Sequence, residues 1–195
     1  MIVNWDVLID NGYSQTHDFA TVEAHIIVAV ERITWPPGND RFLINPESGK
    51  LRGEGNGVKP IKDAFITHLQ RSGWTLERNR FDAHYAFGSR SSLPFVVEWE
   101  TGNVSSSHRS VNRIALGMMN REISGGVVIV PSGKLKPFLT DRIGNRPELV
   151  PYFPLWQLWG QFSEFGYLAL VAVEHDGTSV DSPRIGKATD GRALL

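Results

Sequence analysis

The chain has no cysteine. Disulfides, thiolate metal centres and cysteine nucleophiles are therefore excluded, and the composition fits a reducing compartment. It also lacks any apolar run of the roughly 18 residues that a membrane span requires. Its start, Met1-Ile2-Val3-Asn4-Trp5-Asp6, has neither the basic nor the apolar region of a secretion signal. No internal repeat and no low-complexity tract is present, and the net charge is only −1. These absences lead to the expectation of a cytoplasmic protein with no membrane partner. At 195 residues with 41% hydrophobic content, residues 1–195 read as one globular domain with a substantial core.

A near-neutral chain looks unsuited to nucleic acid until its charge is divided along its length. Residues 1–49 carry two basic and seven acidic side chains, and residues 147–195 carry three and six. Between them, residues 50–90 are net +4 and residues 104–146 are net +5. The two basic segments flank residues 91–103, whose only charges are Glu98 and Glu100. A basic channel around an acidic metal site would give this pattern in a nuclease.

Hydrophobic periodicity places the elements. Val22, Ile26, Ala29, Val30 and Ile33 predict a helix over 18–33, capped by Asp18 or Thr21. Residues 38–57 are glycine-rich, with Arg41, Lys50 and Arg52; they read either as a mobile arm that orders on a ligand or as an ordinary surface loop. A second helix over 58–72 has Pro60 in its first turn, a stripe of Ile61, Phe65 and Leu69, and Gly73 beyond its end. Lys59, Lys62 and Arg71 lie off that stripe. Strands are expected at 74–77, 78–87 and 94–100, the last two forming a hairpin. Ser107-His108-Arg109 opens a helix over 108–121. Val127-Val128-Ile129-Val130 and residues 167–173 are continuous apolar runs, the mark of strands buried on both faces. A short helix is expected over 134–143, and a loose tail from about 174. Tyr152, Phe153, Trp156, Trp159, Phe162 and Phe165 read as core or as a dimer interface. The fold class is α/β (α+β), a central mixed sheet flanked by helices.

The chemistry concentrates in Phe95-Val96-Val97-Glu98-Trp99-Glu100-Thr101-Gly102-Asn103. On a strand, Glu98 and Glu100 share a face about 7 Å apart at Cα. Two carboxylates that close repel each other and resist burial unless a cation compensates them. Mg²⁺ is bound through one or two such oxygens and keeps several waters. A half-exposed strand with a polar outer face is the plainer alternative for a bare E-x-E. Antiparallel pairing across the hairpin brings Asp82 to the neighbourhood of Glu98 and makes it a third carboxylate. Asp63, early on the second helix, either points toward this site or faces solvent where the helix dipole favours it. His84 and His108 are weaker candidates, read first as hydrogen-bonded or surface histidines.

Asp82 on a hairpin, Glu98-x-Glu100 on the next strand, a helix and then a buried strand follow the order of the PD-(D/E)XK nuclease core. Within it, the sequence resembles the BamHI type of type II restriction endonuclease, in which glutamate replaces the usual lysine of the E-x-K motif, as at Glu100. Asn103, Ser105 and Arg109 stand where that family places base and backbone contacts at the head of a helix. Asp141-Arg142 stands at its acidic–basic pair for G·C recognition, although by itself the pair also reads as a solvated helix pair. The resemblance covers residues 60–165 and is weak before 55. It implies a single endonuclease domain, catalytic Asp82, Glu98 and Glu100, and a metal held by Asp82, Glu98 and the main-chain carbonyl of Trp99. It further implies two Mg²⁺ per site, a bacterial homodimer on double-stranded DNA, and cleavage of GGATCC after the first G. The competing functions are a structure-specific repair or resolving nuclease of the same fold and a DNA-binding protein without cleavage activity. A glycosidase is disfavoured, because its two acids flank a sugar from opposite sides.

Overall fold

In the computed structural model the described residues are 1–50, 54–78, 81–89, 92–100, 102–140, 143–162, 164 and 166–186. The elements run β1 (Ile2–Asp10), α1 (His17–Glu31), β2 (Leu43–Ile44), α2 (Lys59–Arg71), β3 (Thr75–Arg78), β4 (Phe81–Tyr85) and β5 (Phe95–Trp99). They continue with α3 (Val104–Met119), β6 (Gly125–Pro131), α4 (Arg146–Leu149), α5 (Phe153–Leu158), β7 (Tyr167–Val173) and β8 (Gly177–Thr178).

Six strands form one sheet in the order β1-β7-β6-β5-β4-β3. β5, β6 and β7 pair in parallel at its centre, while β1, β4 and β3 are antiparallel to their neighbours. The sheet is therefore mixed, as the sequence reading expected. Its two central apolar runs, β6 and β7, are buried along their whole length because helices cover both faces. Alternation then divides the core. Val127, Ile129, Ala169 and Val171 face α1 and α2 through Val22, Ile26, Ile61 and Phe65. Val128, Val130, Leu168 and Leu170 face α3 and α5 through Val111, Ile114 and Trp156.

Several local expectations shift. α1 is capped neither by Asp18 nor by Thr21: Thr16 Oγ1 accepts the Phe19 amide at 3.1 Å, and Thr21 instead donates back to the His17 carbonyl. α3 begins earlier than Ser107, because Asn103 caps it by accepting the Ser106 amide at 3.1 Å. Among the described residues of 134–143, the expected helix is reduced to a 3-10 turn at Lys136–Phe138. Leu139 is drawn into extended backbone, bridged to Asn56, and this ends the turn.

The tail is not loose from 174. β8 pairs in parallel with β2, Ser182 Oγ donates to the Leu43 carbonyl at 2.7 Å, and Trp35 Nε1 donates to the Pro183 carbonyl at 2.8 Å. Ile185 is fully buried. Residues 187–195 lie outside the described residues. The glycine-rich segment is likewise tied down at its described ends. Gly49 donates its amide to the Pro137 carbonyl, and the buried Asn56 side chain donates to the Asn45 and Phe138 carbonyls and accepts the Ile185 amide. Gly49 is required: a Cβ there would stand 1.6 Å from the Leu139 carbonyl oxygen.

Candidate active site

β4 and β5 pair with Ala83 opposite Val97, His84 opposite Val96 and Tyr85 opposite Phe95. That register carries Asp82 to the level of Glu98, as the hairpin reading requires. Asp82 then takes over where the backbone ladder stops: its Oδ2 accepts the Trp99 amide at 2.8 Å. Its Oδ1 accepts from Lys62 Nζ on α2 at 2.6 Å. The Trp99 side chain packs on Phe65 of α2, ring centroids 5.0 Å apart, in the opposite core from Glu98.

Glu98 is the penultimate residue of β5 and Glu100 follows the strand, its amide donating to the Ile129 carbonyl of β6 at 2.9 Å. The two residues are 6% and 8% exposed, so the polar outer face of an exposed strand is ruled out. α3 supplies their partners from consecutive turns. Ser110, itself buried, donates its hydroxyl to Glu100 Oε1. Arg113 Nη1 donates to Glu98 Oε1 at 2.5 Å, with its guanidinium 5.9 Å from the Phe81 ring centroid.

The electrostatics follow from burial. Desolvation pushes the Glu98 carboxyl up to about 8, and the nearby Asp82 and Glu100 push the same way; Arg113 and Lys62 oppose the rise without cancelling it. The Glu100 carboxyl is also raised, first by burial and then by Asp82, against the hydrogen bond from Ser110. A glutamate whose pKa is lifted toward neutrality is a better proton acceptor than an ordinary surface carboxylate.

Asn103, Ser105 and Arg109 are exposed together at the head of α3, with Arg109 Nη2 donating to Ser106 Oγ at 2.8 Å. Gly144 donates its amide to the Gly102 carbonyl at 2.9 Å, so the chain just beyond 141–142 returns to the start of α3. Asp141 and Arg142 themselves lie outside the described residues, as do Arg52 and Phe165. Asp63 does not join the carboxylates: it is half exposed and paired with Lys59 Nζ at 2.6 Å, one helical turn away. His84 is buried on β4. His108 packs edge-on against Tyr152 at 4.4 Å and tilted against Trp156 at 5.2 Å.

Lys62, Ser110 and Arg113 were not singled out from the sequence for this site. A signal existed for the α3 pair: Ser110 and Arg113 are polar residues beside Val111 and Ile114 on a buried stripe. For Lys62 nothing local gives it away, because only the packing of α2 against β4 points it at Asp82.

Among the described residues no group of three or more His, Cys, Asp or Glu side chains is spaced to hold a metal ion. The donor set nevertheless suits a hard, mostly hydrated cation such as Mg²⁺, which takes one or two carboxylates and keeps its waters. Asp82 and Glu98 could hold such an ion, with the main chain of Trp99 adjoining. Both acids already face a positive group, so the pocket stabilises cationic charge.

The family model described as "Restriction endonuclease BamHI" matches residues 1–192, well beyond the 60–165 span on which the motifs fall. The chain is 42% identical to the type II restriction enzyme OkrAI of Oceanobacter kriegii, over 97% of this chain and 96% of that one. It is 34% identical to the type II restriction enzyme BamHI of Bacillus amyloliquefaciens, over 80% of this chain and 75% of that one. A crystal structure of free BglII is matched over 89% of this chain and 81% of that chain at a TM-score of 0.47 and 11% identity. With matches this extensive, and with buried carboxylates where the motif places them, the chain belongs to the BamHI family and is a type II site-specific restriction endonuclease.

Proposed function

We propose that this endonuclease makes Mg²⁺-dependent double-strand breaks at a short palindrome, GGATCC, working as a homodimer in the bacterial cytoplasm. The observation that carries the chemistry is the desolvated Glu98 beside Asp82, at the end of a buried strand and within reach of Glu100. Asp82, Glu98 and the Trp99 carbonyl would hold Mg²⁺, and the three carboxylates of Asp82, Glu98 and Glu100 would together serve a second ion. When bound, Mg²⁺ supplies Lewis-acid polarisation of a phosphodiester oxygen and lowers the pKa of a water.

The chain's own residues do the positioning. The Trp99 amide fixes Asp82, and Ser110 fixes Glu100 through Oε1. The remaining Glu100 oxygen then orients a water for in-line attack and takes its proton. Asn103, Ser105 and Arg109 would contact the inner bases or the backbone beside them. Arg142 would grip guanine O6 and N7, and Asp141 would accept from cytosine N4, each bidentate contact being worth about 1–3 kcal/mol of discrimination. A palindrome calls for a two-fold dimer. Exposed apolar side chains on α3 (Leu116, Met119) and along 152–162 (Leu155, Leu158, Phe162) support those segments as its interface.

The test is digestion of a plasmid carrying one GGATCC site, with Mg²⁺ and with EDTA. One metal-dependent double-strand break with four-base 5′ overhangs is expected. Cleavage elsewhere would overturn the assigned site and the roles of Asp141 and Arg142, and cleavage unaffected by EDTA would overturn the metal.

A further inference from the structure

Two cations enter the carboxylate cluster from helices on opposite faces of the sheet. Lys62 of α2 places Nζ 2.6 Å from Asp82 Oδ1, and Arg113 of α3 places Nη1 2.5 Å from Glu98 Oε1. Their partners are the two acids proposed above as metal ligands. An oxygen in contact with an ammonium or guanidinium has that lone-pair direction engaged, whereas Mg²⁺ needs carboxylate oxygen at about 2.0–2.1 Å. A Mg²⁺ and a side-chain cation on one carboxylate would repel each other strongly in a site this poorly solvated.

The charges also match. Two monovalent cations carry the charge of one divalent ion, so exchanging both for a single Mg²⁺ leaves the net charge of the cluster unchanged. A route out exists as well: the Lys62 and Arg113 side chains are 26% and 38% exposed, far more than Glu98 at 7%. Long flexible stems let such groups swing toward solvent without unpacking their helices.

We propose that Lys62 and Arg113 are the resident counter-ions of the metal site: they neutralise Asp82 and Glu98 in the metal-free enzyme, and a divalent cation loads by displacing them. Once displaced, both remain beside the carboxylates as cationic donors suited to a phosphodiester. This rests on the reading that Mg²⁺ binds at Asp82 and Glu98.

The test is calorimetric titration of Mg²⁺ alone, without DNA, into the full chain. It is run above pH 8 so that a proton does not take the cation's place at Glu98. Lys62→Met and Arg113→Met should each bind Mg²⁺ about 10-fold more tightly than the unaltered protein, a change of about 1.4 kcal/mol. Lys62→Arg, which keeps the charge, should restore ordinary affinity. Equal or weaker binding by the folded methionine variants overturns the proposal. Should neither variant fold, side-chain ¹⁵N spectra of the unaltered protein decide: the Lys62 Nζ and Arg113 Nε signals must shift on Mg²⁺ saturation, and unmoved signals overturn it. Binding unchanged in Asp82→Asn and Glu98→Gln is a separate failure, since it removes the ion from these acids altogether.

Discussion

Asp82 on β4 accepts the main-chain amide of Trp99 on β5 at 2.8 Å, so a side chain continues the pairing of two strands where the backbone ladder ends. The acid is thereby fixed relative to the strand that carries Glu98 and Glu100. Its other oxygen accepts from Lys62 Nζ of α2 at 2.6 Å. A carboxylate held by a backbone donor keeps its position whether or not its second partner leaves.

Replacing Glu98 by alanine removes one of the two carboxylates proposed to hold the metal while leaving the head of α3 untouched. Cleavage should fall by at least ~10²-fold, the scale of losing one preorganised electrostatic group. DNA affinity in a mobility-shift assay should stay close to that of the unaltered protein. A variant that cuts at nearly the ordinary rate would remove Glu98 from the mechanism.

Glu98 also ties stability to pH. Its carboxyl lies at about 8 in the fold against an ordinary 4.5, so the folded chain binds this proton more tightly than the unfolded chain does. The stabilising contribution of the protonated group is complete below about 4.5 and is lost as pH rises through about 8. In EDTA, thermal melts should therefore show Glu98→Gln gaining on the unaltered protein as pH climbs through that window. Parallel curves for the two proteins would contradict the assignment.

Ser110→Ala takes away the hydroxyl that donates to Glu100 Oε1. That hydrogen bond opposes the rise in the Glu100 pKa, so its loss should lift the carboxyl further. Turnover near neutral pH should drop about 10-fold, in keeping with about 1.5–3 kcal/mol for a hydrogen bond to a charged group. The acidic limb of the kcat profile should move to higher pH, with KM nearly unchanged. An unshifted limb would show that Ser110 serves packing alone.

Asn56→Ala strikes the joint between the glycine-rich segment, residues 138–140 and the C-terminal strap. The side chain is fully buried and serves two carbonyls and the Ile185 amide. Leaving such groups unpaired costs about 1–3 kcal/mol each, so a loss of about 3 kcal/mol is expected in urea unfolding. A loss within 0.5 kcal/mol, the ordinary range for surface substitutions, would mean that the neighbours re-pair elsewhere.

Much of this site was legible because its signals are local. Glu98-x-Glu100 in an apolar strand, the hairpin that returns Asp82 to it, and the runs that became β6 and β7 are all short-range patterns of alternation and hydrophobicity. The failures share a cause too. Thr16 displaced Asp18 and Thr21 as the cap, and Leu139 left its expected helix, because a hydrogen-bond partner nearby in space or one step along the chain outweighed weak local preference. The strap over 174–186 looks loose only because β2, Trp35 and Asn56, which hold it, lie over 120 residues away.

By itself the sequence determined the class of protein, the order of its elements and the identity of its acids, since periodicity, residue chemistry and family resemblance are properties of the chain. Only the tertiary structure decided what surrounds those acids. Asp63 is turned away to Lys59, whereas Lys62, the residue before it, reaches Asp82. One residue along a helix is a rotation of about 100°, enough to separate a solvent ion pair from a partly buried one. Which side of that rotation faces the site is set by how Ile61, Phe65 and Leu69 seat α2 against the sheet, a matter of packing between elements distant in sequence.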